Sequence, residues 1–292
     1  MATPSADMAT QRYSFLAEPG ASGSGFVLDL DESRTYDRIV ADFGRAGKPY
    51  EPDVSAVLAA VLREGDTFVD VGAHIGFFTL MAARLVGPAG RVVAFEPDPF
   101  NVARLRAHAE LNGCGNVTVI EQPASHRAEE VEFFINSDDR GGNALWDPGR
   151  FPANVKSQAK AVVQRVRATT LDAERKRLAL DVPKLIKIDT EGAETRVLEG
   201  ARELLAGAQV PFIIAEHHVF GLEQMGSSPE RLRALMEDAG YSAFTLSYSG
   251  ALPKLVPPAT RIESPYFVNL LFSTVDMVGS YWPVESVDPR QG

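Results

Sequence analysis

The chain has 292 residues, 45% of them hydrophobic, enough to bury one full α/β core and a modest extra element. A net charge of −10 and a pI near 5.1 exclude the basic footprint of a nucleic-acid or anionic-membrane binder. The single cysteine, Cys114, excludes an intramolecular disulfide framework and a cysteine-rich zinc site.

The opening MATPSADMATQRY has neither a basic start nor an apolar run, and no stretch approaches the ~18 apolar residues of a membrane span. The expectation is a soluble, cytoplasmic protein. Residues 1–20 are rich in Ala, Ser, Thr and Gly and read as poorly ordered at the very start. Two amphipathic segments, Glu32–Phe43 and Val54–Leu62, read as a helical cap. The implied organisation is an extension over 1–50, a main domain over 51–282 and a tail over 283–292.

From Asp66 the pattern becomes regular. TFVDV (67–71) is a short apolar strand, and Phe77–Val86 is a helix stopped by Gly87-Pro88. RVVAFE (91–96) is a second strand, followed by an N-cap and N1 proline, Asp98-Pro99, for a helix through Leu111. NVTVIE (116–121) is a third strand. Helices alternating with short apolar strands imply βαβ units and a parallel sheet. VEFFIN (131–136) and VVQRVR (162–167) then read as strands joined by a long polar connection, SDDRGGNALWDPGRFPAN. KLIKID (184–189), a helix over Glu191–Leu205, PFIIAE (211–216), a helix over Ser228–Asp238, and strands near Tyr241–Ser247 and Tyr266–Phe272 complete the pattern.

The stretch FVDVGAHIGFFTL (68–80) places a glycine turn between strand and helix. The dinucleotide fingerprint needs three glycines around a pyrophosphate, and only Gly72 and Gly76 are present. Asp70, at the end of the strand, repels phosphate and suits a ligand carrying an ammonium group, such as S-adenosylmethionine. Glu96, at the end of the second strand and followed by Pro97, can accept both hydroxyls of a ribose. Dinucleotide enzymes also use an acid at that distance, and the combination with Asp70 and the two-glycine turn favours a methyltransferase over a dehydrogenase. Ala73 and His74 fall within the same contact zone.

FVDVGAHIGFFTL, VVAFEPDPFNVARLRAHAELNG, GGNALW, VRATTLD and LIKIDTEGAETRVLEGA together resemble the FkbM family of S-adenosylmethionine-dependent methyltransferases over about residues 50–216. The resemblance implies a class I methyltransferase fold, Rossmann-like: a seven-stranded, mostly parallel sheet with helices on both faces. It also implies a cofactor at the carboxyl ends of the strands and methylation of a hydroxyl on a small molecule, a sugar or a polyketide-like natural product. Ala124 and Ser125 fall where such folds contact adenine. Family members commonly carry Asn where this chain has His74, so His74 takes no family role.

Asp189 ends the strand KLIKID, over the expected methyl-transfer site, where a carboxylate can orient the methionine ammonium, bind the acceptor or take a proton. AEHH (215–218) closes the next strand, and neighbouring strands ~4.8 Å apart bring Glu216 towards Asp189. Two uses stay open. His217 or His218 serves as general base, with Asp189 and His217 preferred as the catalytic pair. Alternatively, Asp189, Glu216 and His217 hold Mg2+ or another divalent cation that acidifies the hydroxyl. Asp138, Asp139, Arg140 and Asn143 read either as an acceptor cover or as a polar loop, and Trp146, Phe151 and Phe220 as an apolar wall. N-methylation, a nicotinamide oxidoreductase and a silent binding module are the alternatives. No nucleic-acid or membrane partner is expected, and oligomeric state, a homodimer included, is open.

Overall fold

A computed structural model describes residues 10–17, 25–137, 139–152, 160–248, 252–262 and 267–286. Strands β1 (Gln11–Leu16) and β2 (Gly25–Leu30) form an antiparallel hairpin. Helices α1 (Thr35–Arg45) and α2 (Pro52–Val61) follow, then β3 (Thr67–Val71), α3 (Phe77–Val86), β4 (Arg91–Phe95), α4 (Pro99–Leu111) and β5 (Val117–Ile120). A second antiparallel hairpin, β6 (Glu130–Ile135) and β7 (Val162–Arg167), stands apart from the main sheet. After it come α5 (Leu171–Arg177), β8 (Leu185–Ile188), α6 (Glu194–Glu199), α7 (Arg202–Leu205), β9 (Phe212–His217), α8 (Val219–Gln224), α9 (Pro229–Asp238) and β10 (Ser242–Thr245). The described chain closes with β11 (Lys254–Val256), β12 (Val268–Ser273), α10 (Val275–Gly279) and β13 (Glu285–Ser286).

The main sheet runs β13-β11-β10-β12-β9-β8-β3-β4-β5. The seven strands from β10 to β5 carry one reversed member, β12, antiparallel to both β9 and β10. The seven expected strands are all present, and β11 and β13 extend the edge to nine. Every residue of β3 and β8 is buried, the signature of central strands covered on both faces. The order reverses direction between β3 and β8, and at such a switch point a crevice opens outside the carboxyl ends of the strands.

Strand alternation sorts the residues that matter. Phe68 of β3, Leu185 of β8, and Phe212 and Ile214 of β9 face one apolar layer, shared with α2, α3 and the N-terminal hairpin. Val69, Val71, Ile186, Ile188, Ile213 and Ala215 face the other, beneath α6, α7 and α9.

The hairpin β1/β2 was not expected from the sequence, yet its signal is there. Tyr13 and Phe15, then Phe26, Leu28 and Leu30, alternate into the core at period two. Phe15 and Phe26 stack on one another and close edge-on against Phe77 at 5.1 and 5.2 Å. His108 of α4 and Asn112 at its C-terminal cap tie β2 down through hydrogen bonds to Asp29 and Val27. The helix read over Glu191–Leu205 is divided instead: α6 ends at Gly200, whose Cα lies against the Ser125 carbonyl, and α7 restarts at Arg202. Among the described residues no helix is long and apolar enough to cross a membrane.

Candidate active site

Two adjoining cavities open at the switch point and share Gly72, His74, Gly141, Asp189 and Glu191. The smaller, about 550 Å³ including its mouth, lies over the ends of β3 and β4 and is walled by Glu96, Pro97, Pro123, Ala124, Phe133, Ala144 and Leu145. The larger, about 1360 Å³ on the same measure, lies over β8 and β9 beside Tyr36, Tyr50, Trp146, Phe151, Lys187, Glu216, His218 and Phe267.

The turn between β3 and α3 is shaped by a crossing of backbones. Gly72 has φ +83°, and a Cβ there would overlap the carbonyl oxygen of Asp189. The Gly72 and Ala73 amides both donate to the Phe95 carbonyl at 3.0 Å. His74 is also left-handed, at φ +50°, and its amide donates to Glu96 Oε2 at 2.8 Å. Its ring lies 4.0 Å from Tyr36, and burial beside Arg104, Lys187 and Arg140 pushes its pKa down to about 3. At neutral pH this imidazole is uncharged. Gly76 serves the turn from outside the cavity walls, packing against Leu105.

Glu96 is 4% exposed yet forms part of the smaller cavity. Oε2 accepts from His74 and Oε1 accepts from the Asp98 amide at 2.9 Å. Asn101 Nδ2 also donates to Oε1, at 3.5 Å, so of the two acceptor directions on each oxygen the one left for a ligand hydroxyl is on Oε2. Burial raises the Glu96 pKa to about 7.

Asp98 caps α4 through the Phe100 amide at 3.0 Å, and its other oxygen holds Arg140 at 2.6 Å and Asn143 at 3.0 Å. Asp98, just beyond β4, thereby ties the long connection down beside the smaller cavity. Arg140 and Asn143, read as cover or polar loop, line the smaller cavity; Asp139 lines the larger, and Asp138 lies outside the described residues.

Three expectations change with the structure. Asp70 is absent from both cavity walls; it is 1% exposed, accepts from Thr79 Oγ1 at 2.6 Å and sits in register beside Lys187. It therefore balances a buried ammonium from behind the turn. Ser125 is fully buried, its amide donating to Thr169 O at 2.8 Å, and it too is absent from the walls, whereas Ala124 lines the smaller cavity.

His217 is the third. Alternation along β9 turns it to the face of Ile213 and Ala215, where its electrostatic neighbours are Glu230 and Arg233 on α9. Glu216 and His218, one residue to either side, reach the cavity instead. The same alternation was available in AEHH.

Asp189 lines both cavities, and its amide donates to the Val71 carbonyl at 2.9 Å. Lys187 Nζ donates to Asp189 Oδ2 at 2.8 Å and stands 4.9 Å over the Phe78 ring. Asp189, Asp70 and Glu51 raise the Lys187 pKa against its burial, so this ammonium stays charged. Burial pushes Glu51 up to about 7, and Glu216 rises well above the carboxylate range through burial and the charges of Glu191 and Asp189.

Lys187 and Glu51 were not singled out from the sequence. A lysine inside the apolar run LIKID was the available signal, since a fully buried lysine needs partners. Trp146, Phe151 and Phe220 do come together, joined by Phe267, around His218.

The strand order β5-β4-β3-β8-β9-β10, with β12 reversed between the last two, is that of a class I methyltransferase dependent on S-adenosylmethionine. Residues 70–243, more than half of the chain, match the methyltransferase FkbM domain, and the protein belongs to the FkbM family. It is 30% identical over 179 residues to the 31-O-demethyl-FK506 methyltransferase FkbM of Streptomyces tacrolimicus, covering 54% of this chain and 67% of that one. It is 25% identical to the hexuronic acid methyltransferase AglP of Haloferax volcanii, over 66% of this chain and 70% of that one. Among solved structures, an O-methyltransferase from Bacillus cereus in complex with SAH aligns with a TM-score of 0.42 at 14% identity, over 81% of this chain and 88% of that one.

Proposed function

We propose that the protein transfers the methyl group of S-adenosylmethionine to a hydroxyl oxygen of a small molecule, a sugar or a polyketide-like compound. The carrying observation is the pair of joined cavities with Asp189 at their junction. The smaller has the make-up of a nucleoside site: Glu96 for the ribose hydroxyls, and Pro97, Ala124, Phe133 and Leu145 as apolar walls for adenine. The methionine end then extends past Gly72 and Ala73, where Asp189 answers its ammonium.

The larger cavity takes the acceptor. Tyr36, Tyr50, Trp146, Phe151 and Phe267 offer ring faces and edges of the kind that pack on a sugar or macrocycle, and Glu191, Glu216 and His218 receive the hydroxyl. The sulfonium supplies an already activated methyl group, so the protein's task is alignment, exclusion of water and removal of one proton. The names of the two relatives, one specifying an oxygen position and the other a hexuronic acid, accord with a hydroxylated small molecule. Calorimetry with S-adenosylhomocysteine and with NAD, followed by a labelled-methyl screen of glycosylated and hydroxylated acceptors, tests this reading. Binding of NAD alone overturns it.

A further inference from the structure

We propose that Glu191, Glu216 and His218 form a site for a divalent cation of the manganese type, which holds the acceptor hydroxyl. This deepens the reading above and rests on its placement of the acceptor in the larger cavity. One ligand atom from each residue lies within 4.8 Å of the other two. Atoms bound to one ion at about 2.0–2.6 Å are at most ~4–5 Å apart, so the trio has the spacing of ligands to a single cation. Two separate segments build it: Glu191 follows β8, while Glu216 lies in β9 and His218 directly after it.

Two observations beyond clustering point to a ligand. His218 is 3% exposed, and among the described residues its Nε2 has no hydrogen-bond partner, while Nδ1 lies 3.2 Å from Glu191 Oε2. Its ring is gripped edge-on by Phe267 at 4.4 Å and Phe151 at 5.3 Å, contacts that orient the imidazole without using its nitrogens. Glu216 Oε2 is likewise shut from solvent and without a hydrogen-bond partner among the described residues.

Leaving such groups bare is unfavourable, more so when they are charged. The neighbouring ammonium of Lys187 is already engaged by Asp189. The backbone is made for the approach: Glu191 is left-handed at φ +56°, and a Cβ on Gly221 would come within 2.5 Å of the Glu191 carbonyl oxygen and 2.9 Å of His218 Nδ1.

Two carboxylate oxygens suit a hard cation, and the imidazole nitrogen favours manganese over magnesium. Three protein ligands leave positions for the acceptor and water. The ion lowers the hydroxyl's pKa, and its proton leaves to water at the cavity mouth. A lone pair on that oxygen forms the new bond to the methyl carbon as the carbon–sulfur bond breaks. The bonding pair stays on sulfur, turning the sulfonium into a neutral thioether.

The test titrates the full chain with manganese chloride, reading free ion by electron paramagnetic resonance, alongside calorimetry with S-adenosylhomocysteine. One ion per chain is expected. His218→Ala and Glu216→Gln should each weaken manganese binding by at least about tenfold, the lower bound for losing even an outer-sphere partner. S-Adenosylhomocysteine affinity should stay within about twofold in both, which reports a folded cavity. If His218→Ala does not fold, Glu191→Gln decides by the same titration. No saturable manganese binding by the wild type, or binding undiminished in the variants, overturns the site. A wild type that binds manganese but not S-adenosylhomocysteine overturns the cofactor reading and leaves the cation site standing.

Discussion

Replacing Glu96 by Gln probes the cofactor reading most directly. Each carboxylate oxygen accepts one backbone N–H, from His74 and Asp98; Asn101 also reaches Oε1, at 3.5 Å, and Oε2 keeps one direction for a ribose hydroxyl. The amide of glutamine removes the charge and substitutes a donor for one of these acceptors. At least one hydroxyl is lost, and one N–H of the turn faces an NH2. A hydrogen bond to a charged group contributes about 1.5–3 kcal/mol, which corresponds to an affinity for S-adenosylhomocysteine roughly 10- to 150-fold weaker.

The pKa of about 7 adds a second reading. The ionised form is the better acceptor, so wild-type affinity should fall as pH drops through 7, and Glu96→Gln should lose that dependence. Isothermal titration calorimetry at pH 8 and pH 6 measures both. A variant that binds within twofold of wild type at pH 8, or a wild type whose affinity is flat across this range, refutes the assignment of Glu96 to the ribose.

Four further outcomes follow from the same structure. Gly72→Ala forces a side chain into positive φ and against the Asp189 carbonyl, so it should destabilise by about 2–4 kcal/mol and lower Tm by roughly 5–15 °C in calorimetry; a change under about 2 °C would show that the two backbones separate freely. Lys187→Met leaves Asp70 and Asp189 without their shared cation and should cost about 3–5 kcal/mol in urea unfolding, and a loss below about 1 kcal/mol would count against the buried network. Phe15→Ala removes a ring packed on Phe26 and Phe77 and should cost about 3–5 kcal/mol in a single unfolding transition; a separate early transition would mean the hairpin folds independently of the sheet. Glu51, Glu96 and Glu194, each raised to about 7 chiefly by burial, hold protons in the folded state that the unfolded chain has released. That contribution is present at low pH and lost as pH rises through 7. His74, lowered to about 3, acts in the opposite direction only below about 6.5, so between pH 6.5 and 8 the ligand-free protein should lose thermal stability, and a rising Tm there would contradict the shifts.

The sequence by itself determined the alternating strands and helices, the strand–turn–helix at 68–80, Glu96 at the end of the second strand, and membership of the FkbM family. These signals are local: apolar runs, glycines, a capping Asp-Pro pair and short motifs, all readable within a dozen residues. Period-two alternation in residues 11–30 was equally local and marks a hairpin, and in AEHH it separates His217 from its two neighbours. Only the tertiary structure decided that Asp70 faces Lys187 instead of the cavity, that Asp98 pins Arg140 and Asn143, 42 and 45 residues away, and that Glu191 meets Glu216 and His218. Those pairings depend on which strands become neighbours and which face each side chain takes, and strand order is fixed by burial of the whole sheet, not by any one segment.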